Sequence, residues 1–251
     1  MISPLWILAP IISVAAYYGG TIYIFVSIFN SFVAAATAAS ASPTPPSIFP
    51  SSLNFNLASL IIIVPSLLLL YLFYRLIKRR NQHFERQNRL FRNLSVAARK
   101  VALARSISGT NIYLNYIDNW LVFQQSQEEE KSAVFLAILL IIPILNVFAF
   151  FYILHFLTKD FYAHEQRENY MLGAFSSAFL LMGVNFSFRR EHPIPERSFA
   201  LYFVLALVTL GIFSFYWDYT LIKDPNGHFE DQNKFEASLL PSVTPMAISS
   251  A

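Results

Sequence analysis

Residues 74–88 read YRLIKRRNQHFERQN, and residues 219–233 read YTLIKDPNGHFEDQN. Ten of the fifteen positions coincide without a gap. A third and more divergent copy, HFLTKDFYAHEQREN, occupies residues 155–169. Extended upstream, the copies share one spacing: a Tyr, a Leu five residues on, a Lys two further, a His five further and an Asn five beyond that. The residues are Tyr71, Leu76, Lys78, His83 and Asn88, then Tyr152, Leu157, Lys159, His164 and Asn169, then Tyr216, Leu221, Lys223, His228 and Asn233. Self-similarity of this kind marks a structural unit used more than once.

Outward from the first copy, the chain changes character. Residues 1–74 contain no Asp, Glu, Lys or Arg, and the charge begins abruptly at Arg75. The whole chain of 251 residues is 55% apolar and 13% charged, against about 25% charged in ordinary soluble domains. Such a chain is too apolar for a disordered or coiled-coil class, and its basic residues are too localised for nucleic-acid binding. The absence of Cys excludes a disulfide framework, thiolate catalysis and sulfur-based zinc sites. Residues 34–41 are rich in small side chains, yet the run before them has no basic start and is longer than a cleaved leader's apolar core of about 7 to 15 residues. That run is read as a retained segment.

About 20 apolar residues suffice for a helix to cross a bilayer. Five stretches meet that length: residues 4–36, 57–77, 132–157, 171–188 and 198–222. The expectation is therefore an all-α, polytopic membrane protein with about five transmembrane helices and a basic amphipathic cytoplasmic segment. Residues 1–74 form an uncharged hairpin, 75–131 the basic segment, 132–222 a three-helix region and 223–251 a polar tail. Residues 75–131 hold 11 basic and 5 acidic side chains, which places them on the cytoplasmic side. The chain then sits in the cytoplasmic membrane with its N-terminus inside and its C-terminus outside. Phe91, Leu94, Ala98 and Val101 recur at helical spacing, so residues 75–105 are expected to lie on anionic lipid. Tyr113, Tyr116, Ile117, Trp120 and Leu121 form a second patch suited to the same interface.

In this frame each repeat copy ends a span. Its Tyr sits in the aromatic belt, and Lys78, Lys159 and Lys223 reach out to phosphate. Asp224, Pro225, Asn226 and Gly227 predict a sharp bend in the third copy, followed by a short helix over residues 228–240. The Lys, His and Asn of all three copies are candidate contacts for a headgroup, an ion or a partner. The charge-based topology puts His83 across the bilayer from His164 and His228, so only the latter two could share an ion, with Glu165, Glu168, Asp224, Glu230 and Asp231 nearby. No metal, other cofactor or catalytic residue is assigned, because no dense ligand spacing, phosphate loop or nucleophile motif occurs. Span interiors hold no ionisable side chain, although Asp218 and His155 approach the ends.

Residues 197–236 carry ThrLeuGlyIlePhe at 209–213, TyrTrp at 216–217 and AspProAsnGlyHis at 224–228. This segment resembles an uncharacterised family of prokaryotic integral membrane proteins whose signature reads roughly TLGIYxxYW, with Phe213 standing where that family has Tyr. The resemblance implies a membrane location and a repeat architecture, and carries over no catalytic residue. The expected function is a non-catalytic structural or accessory subunit of a larger membrane complex, its partners being the lipid bilayer, anionic lipid at residues 75–105 and other membrane subunits, with no nucleic acid. Two alternatives stand beside it. One is a small transporter or channel for a neutral or lipid-like solute through spans kinked at Pro65 and Pro143. The other is an enzyme acting on lipid headgroups through His164 and His228.

Overall fold

In the computed structural model, residues 4–39, 55–142 and 144–248 are described, and among them every regular element is helical. A short 3-10 turn at Pro4–Ile7 leads into α1 (Leu8–Ala39), followed by α2 (Phe55–Ala104), α3 (Thr110–Gln127), α4 (Ala133–Ile141), α5 (Leu145–Leu181), α6 (Phe199–Val208) and α7 (Ile212–Ile248). The chain divides into two units within α2, Leu5–Leu72 and Phe73–Ala251. The first unit exposes large apolar side chains, among them Phe25, Phe29 and Phe32. Residues 40–54, which join the two expected spans of the uncharged hairpin, and Pro143 lie outside the described residues.

The expectation of five membrane spans is corrected: among the described residues, no helix is long and apolar enough to cross a membrane. Two of the expected spans are interrupted. Residues 132–157 hold the nine-residue α4, about 14 Å long, and the chain turns through Ile144 at φ 71 before α5 starts. Residues 198–222 break between the ten-residue α6 and α7, where Leu210 and Gly211 adopt φ 50 and 90. Thr209 caps that turn by accepting from the Phe213 amide at 2.9 Å. Residues 171–188 are no separate helix, because they comprise the end of α5 and the turn and irregular segment after it. With the spans go the multi-pass arrangement, the inside-to-outside topology and the placement in the cytoplasmic membrane.

Within Phe73–Ala251, the repeat acquires a different meaning. Its three copies lie on α2, α5 and α7, and all three place the same positions inside. Leu76, Leu157 and Leu221 are buried, as are His83, His164 and His228. Four residues beyond each His come Gln87, Glu168 and Gln232, each fully buried, and the stripe continues with Phe91, Met171 and Phe235. The Lys of every copy is exposed. Burial at steps of seven, four and three or four residues is the stripe by which one helix packs against others. The repeat is therefore a core seam, not a membrane exit. The levels follow the same order in each helix, so the three run in the same direction, and Trp217 Nε1 ties α7 to α5 by donating to Thr158 Oγ1 at 2.8 Å.

The basic amphipathic segment is corrected in the same way. The stripe Phe91, Leu94, Ala98 and Val101 is buried in a core with Leu114, Ile117 and Leu121 of α3 and Met171, Phe175, Ala178 and Phe179 of α5. Helix α3 reaches this core because the chain reverses after α2 through Ser106 and Gly109, at φ 51 and 87. The second patch divides, with Ile117 and Leu121 inside and Trp120 stacked on Tyr170 at 5.2 Å. Arg99 pairs with Asp118 across this hairpin at 2.6 Å. The apolar stripe covers protein, and the basic residues between occupy its outer side.

The bend expected at residues 224–227 is absent, since α7 runs straight through it. Proline in a helix leaves the carbonyl four residues earlier without its amide donor. Here Arg79 Nη2 reaches that carbonyl, on Leu221, at 3.5 Å, while Arg79 Nη1 donates to Asn226 Oδ1 at 2.6 Å. Arg197 clamps Asp224 with two bonds of 2.7 and 3.2 Å. The turn-forming side chains are thus engaged by other elements, and the helix persists, including the stretch 228–240 expected to be helical.

Two outcomes are expected. Phe91→Ala removes a fully buried ring from the seam and should cost about 3–5 kcal/mol, whereas Arg92→Ala on the outer side should stay within about 0.5 kcal/mol in urea unfolding. Asp218 is buried, and that burial pushes its carboxyl up to about 7. A group that binds its proton more tightly when folded loses stability as pH rises from its unfolded value, near 4, toward 7. Urea midpoints should therefore fall across that window relative to Asp218→Asn; parallel profiles would contradict this assignment.

Candidate metal centre

The seam positions fix one level at which all three histidines meet. His83 Nε2 and His228 Nε2 lie 3.0 Å apart. Ring centroids are separated by 5.2 Å for His83 and His164 and by 5.8 Å for His164 and His228. One nitrogen from each ring falls in a group whose members are all within 4.8 Å of one another. This corrects the topology that held His83 apart from the other two. An apolar layer of Phe84, Phe161, Phe229 and Ile194 closes one side, and Phe84 stacks on His164 at 4.2 Å. On the other side come Gln87, Glu168 and Gln232, one helical turn further along.

Carboxylates orient two of the rings from behind. His164 Nδ1 lies 2.7 Å from Glu128 Oε1, and His228 Nδ1 lies 2.9 Å from Glu165 Oε2. Glu128 comes from the segment after α3 and is held by Arg167 at 2.8 Å and by Gln124 at 2.9 Å. An imidazole whose Nδ1–H is given to a carboxylate presents its Nε2 lone pair forward, which is the arrangement found behind metal-ligating histidines. His164 Nε2 is buried and has no hydrogen-bond partner among the described residues. Buried polar atoms are nearly always partnered, so an orphan on a ring that stands beside two other imidazoles points to a missing ligand.

Burial keeps two of the imidazoles neutral. Burial, reinforced by the neighbouring His164 and His228, holds His83 well below the ordinary histidine range. Burial pushes His228 down to about 3 despite the charge of Glu168. Neutral imidazole is the form that binds a metal. Burial raises Glu165 above the usual carboxylate range against the pull of Arg190. Glu128 moves the other way, for its contacts with His164 and its hydrogen bonds outweigh the cost of burial.

The segment between α5 and α6 straps across this level. Asp231 accepts from the Glu191 and His192 amides at 2.9 and 2.7 Å, and Glu165 Oε1 accepts from the Ile194 amide at 2.9 Å. Gly227 lets the strap approach, because a Cβ there would stand 3.0 Å from that of His192. Arg190 points inward to Glu168, Glu165 and Asn169.

Of the nine residues singled out by the repeat, only the three histidines come together. Lys78 and Lys223 lie over their own Tyr74 and Tyr219 rings at 5.8 and 5.5 Å, and Lys159 is exposed. Asn169 accepts from Arg190, Asn233 is exposed, and Asn88 lines a cleft of about 1050 Å³ with Lys78, Phe84 and Glu128. Glu165 and Glu168 were legible as nearby carboxylates. Reading each copy one turn past its His would have found the buried Gln87, Glu168 and Gln232. Glu128 and Arg190 stand outside the repeat, and no spacing announces them.

Residues 197–248 match a family model described as Domain of unknown function (DUF4234), a span that takes in α6, α7 and the third repeat copy with His228. That match supports a resemblance to an uncharacterised domain family over this part of the chain. No curated protein and no solved structure matches.

Removing the carboxylate of Asp231 leaves two main-chain amides of the strap without an acceptor. Asp231→Ala should lower stability by about 2–4 kcal/mol in urea unfolding, with Asp231→Asn closer to the parent because it keeps one oxygen.

Proposed function

We propose that this chain is a non-catalytic metal-binding protein that holds one divalent transition-metal ion between His83, His164 and His228. The observation that carries this reading is the convergence of three buried imidazoles, one of which has an Nε2 without a partner among the described residues. A metal bound at about 2.0–2.1 Å by three imidazoles sets their nitrogens about 3.0–3.5 Å apart. The 3.0 Å approach of His83 and His228 already lies in that range. Imidazole and carboxylate donors suit zinc, iron, nickel and copper better than magnesium or calcium.

The ion's task is structural. It joins three helices that contact one another through a buried polar level, where the His164 Nε2 is otherwise left unmatched among the described residues. Enclosure by Phe84, Phe161 and Phe229 supports a closed site of this kind, in contrast to catalytic centres that keep a position open to substrate. The solute-transport alternative relies on kinked membrane-spanning helices, and among the described residues no helix is long and apolar enough to cross a membrane.

Chelator-treated protein titrated with Zn²⁺ should take up one equivalent. At a free metal concentration of about 100 times Kd, linkage adds about 2.7 kcal/mol, a rise in Tm of roughly 5–10 °C. His83→Ala, His164→Ala and His228→Ala should each lose that uptake and that rise. Parent protein that takes up no equivalent of Zn²⁺, Co²⁺, Ni²⁺ or Fe²⁺ would refute the proposal.

A further inference from the structure

Three imidazoles leave a tetrahedral ion one ligand short. The side chains around the histidine level hold one group suited to complete it. Glu168 lies one turn beyond His164 on the same face of α5, is fully buried, and places Oε2 3.7 Å from His228 Nε2. The other two carboxylates at this level, Glu128 and Glu165, instead address Nδ1 atoms on the far side of their rings.

Glu168 is engaged elsewhere. Its Oε2 accepts from Arg190 Nη2, and its Oε1 accepts from Gln87 Nε2. The Arg190 guanidinium is itself buried, with Glu165 Oε2 at 3.8 Å, Asn169 Oδ1 at 2.9 Å and His228 Nδ1 at 3.4 Å. The strap therefore delivers a positive charge to the carboxylate that an ion would need.

Proton bookkeeping at His228 sets this arrangement against a bound ion. His228 Nδ1 faces both Glu165 and Arg190, and a ring nitrogen can serve only one of them. With a proton it donates to Glu165; without one it accepts from Arg190. Metal at Nε2 requires the lone pair there and the proton on Nδ1. Loading thus removes the acceptor that His228 offers Arg190, while the ion's charge competes for Glu168.

Resting on the metal-binding reading above, we propose that Glu168 is the fourth ligand of the ion and that Arg190 is a resident counter-cation, which the arriving ion displaces from it. No covalent bond is made or broken. Arg190 leaves Glu168 and His228 and retains Asn169, so metal loading is coupled to the strap between α5 and α6.

Titration of the full-length, chelator-treated protein with Co²⁺ tests the exchange, because visible Co²⁺ absorption reports ligand number and type. Arg190→Gln removes the competitor and should bind Co²⁺ at least tenfold more tightly than the parent. Arg190→Lys keeps a cation and should stay within about threefold, which also controls for any fold defect from losing buried charge. Glu168→Gln should bind at least tenfold more weakly and alter the visible bands, a change that loss of a merely structural contact would not produce. If Arg190→Gln and Glu168→Gln both bind as the parent does while His83→Ala does not, the histidine centre stands and the exchange is wrong. If neither the parent nor Arg190→Gln binds Co²⁺, both proposals fall.

Discussion

Three imidazoles buried at one level of a helical seam are the constraint around which the second unit is organised. A buried polar group without a partner costs on the order of 1–3 kcal/mol, and each ring brings two nitrogens. The protein meets that demand from every side. Glu128 arrives from beyond α3, Glu165 and Glu168 from α5, and Arg190 from the strap. Elements with no sequence relation to the repeat are thereby held against it. The strap in turn closes the level by giving three main-chain amides to Asp231 and Glu165.

The apolar layers on either side explain why the polar level stays intact. Phe84, Phe161 and Phe229 exclude water from one side, while Phe91, Phe175 and Phe235 do so beyond the glutamine level. With water excluded, electrostatic contacts are strong and unmatched ones costly, so the network is either complete or destabilising. On the metal-binding proposal a divalent ion completes it, because it gives three imidazoles one shared partner.

Much of this was legible in the sequence, though its meaning was not. The repeat, its register and the helicity of its surroundings followed from residues 74–88 and 219–233. The periodic burial of Phe91, Leu94, Ala98 and Val101 also followed, since helical spacing shows which side is apolar. Periodicity does not say what covers that side, and here α3 and α5 cover it where lipid was expected. The apolar runs misled for a related reason. Hydropathy counts side chains and is blind to Ile144 and Leu210, whose positive φ values divide two of those runs into shorter helices. The error then propagated: counting basic residues across spans separated His83 from its partners, and a three-histidine centre dropped out of view. In the third copy, turn chemistry at Asp224 and Asn226 lost to Arg197 and Arg79, long-range partners that no local rule could supply.

The central claim is that His83, His164 and His228 close on one ion. X-ray absorption at the zinc edge of protein loaded with one equivalent of Zn²⁺ tests it most directly, because imidazole rings leave a multiple-scattering signature that can be counted. The loaded protein should show a first shell of nitrogen and oxygen at about 2.0 Å containing three imidazoles. A shell with one imidazole or none would contradict it.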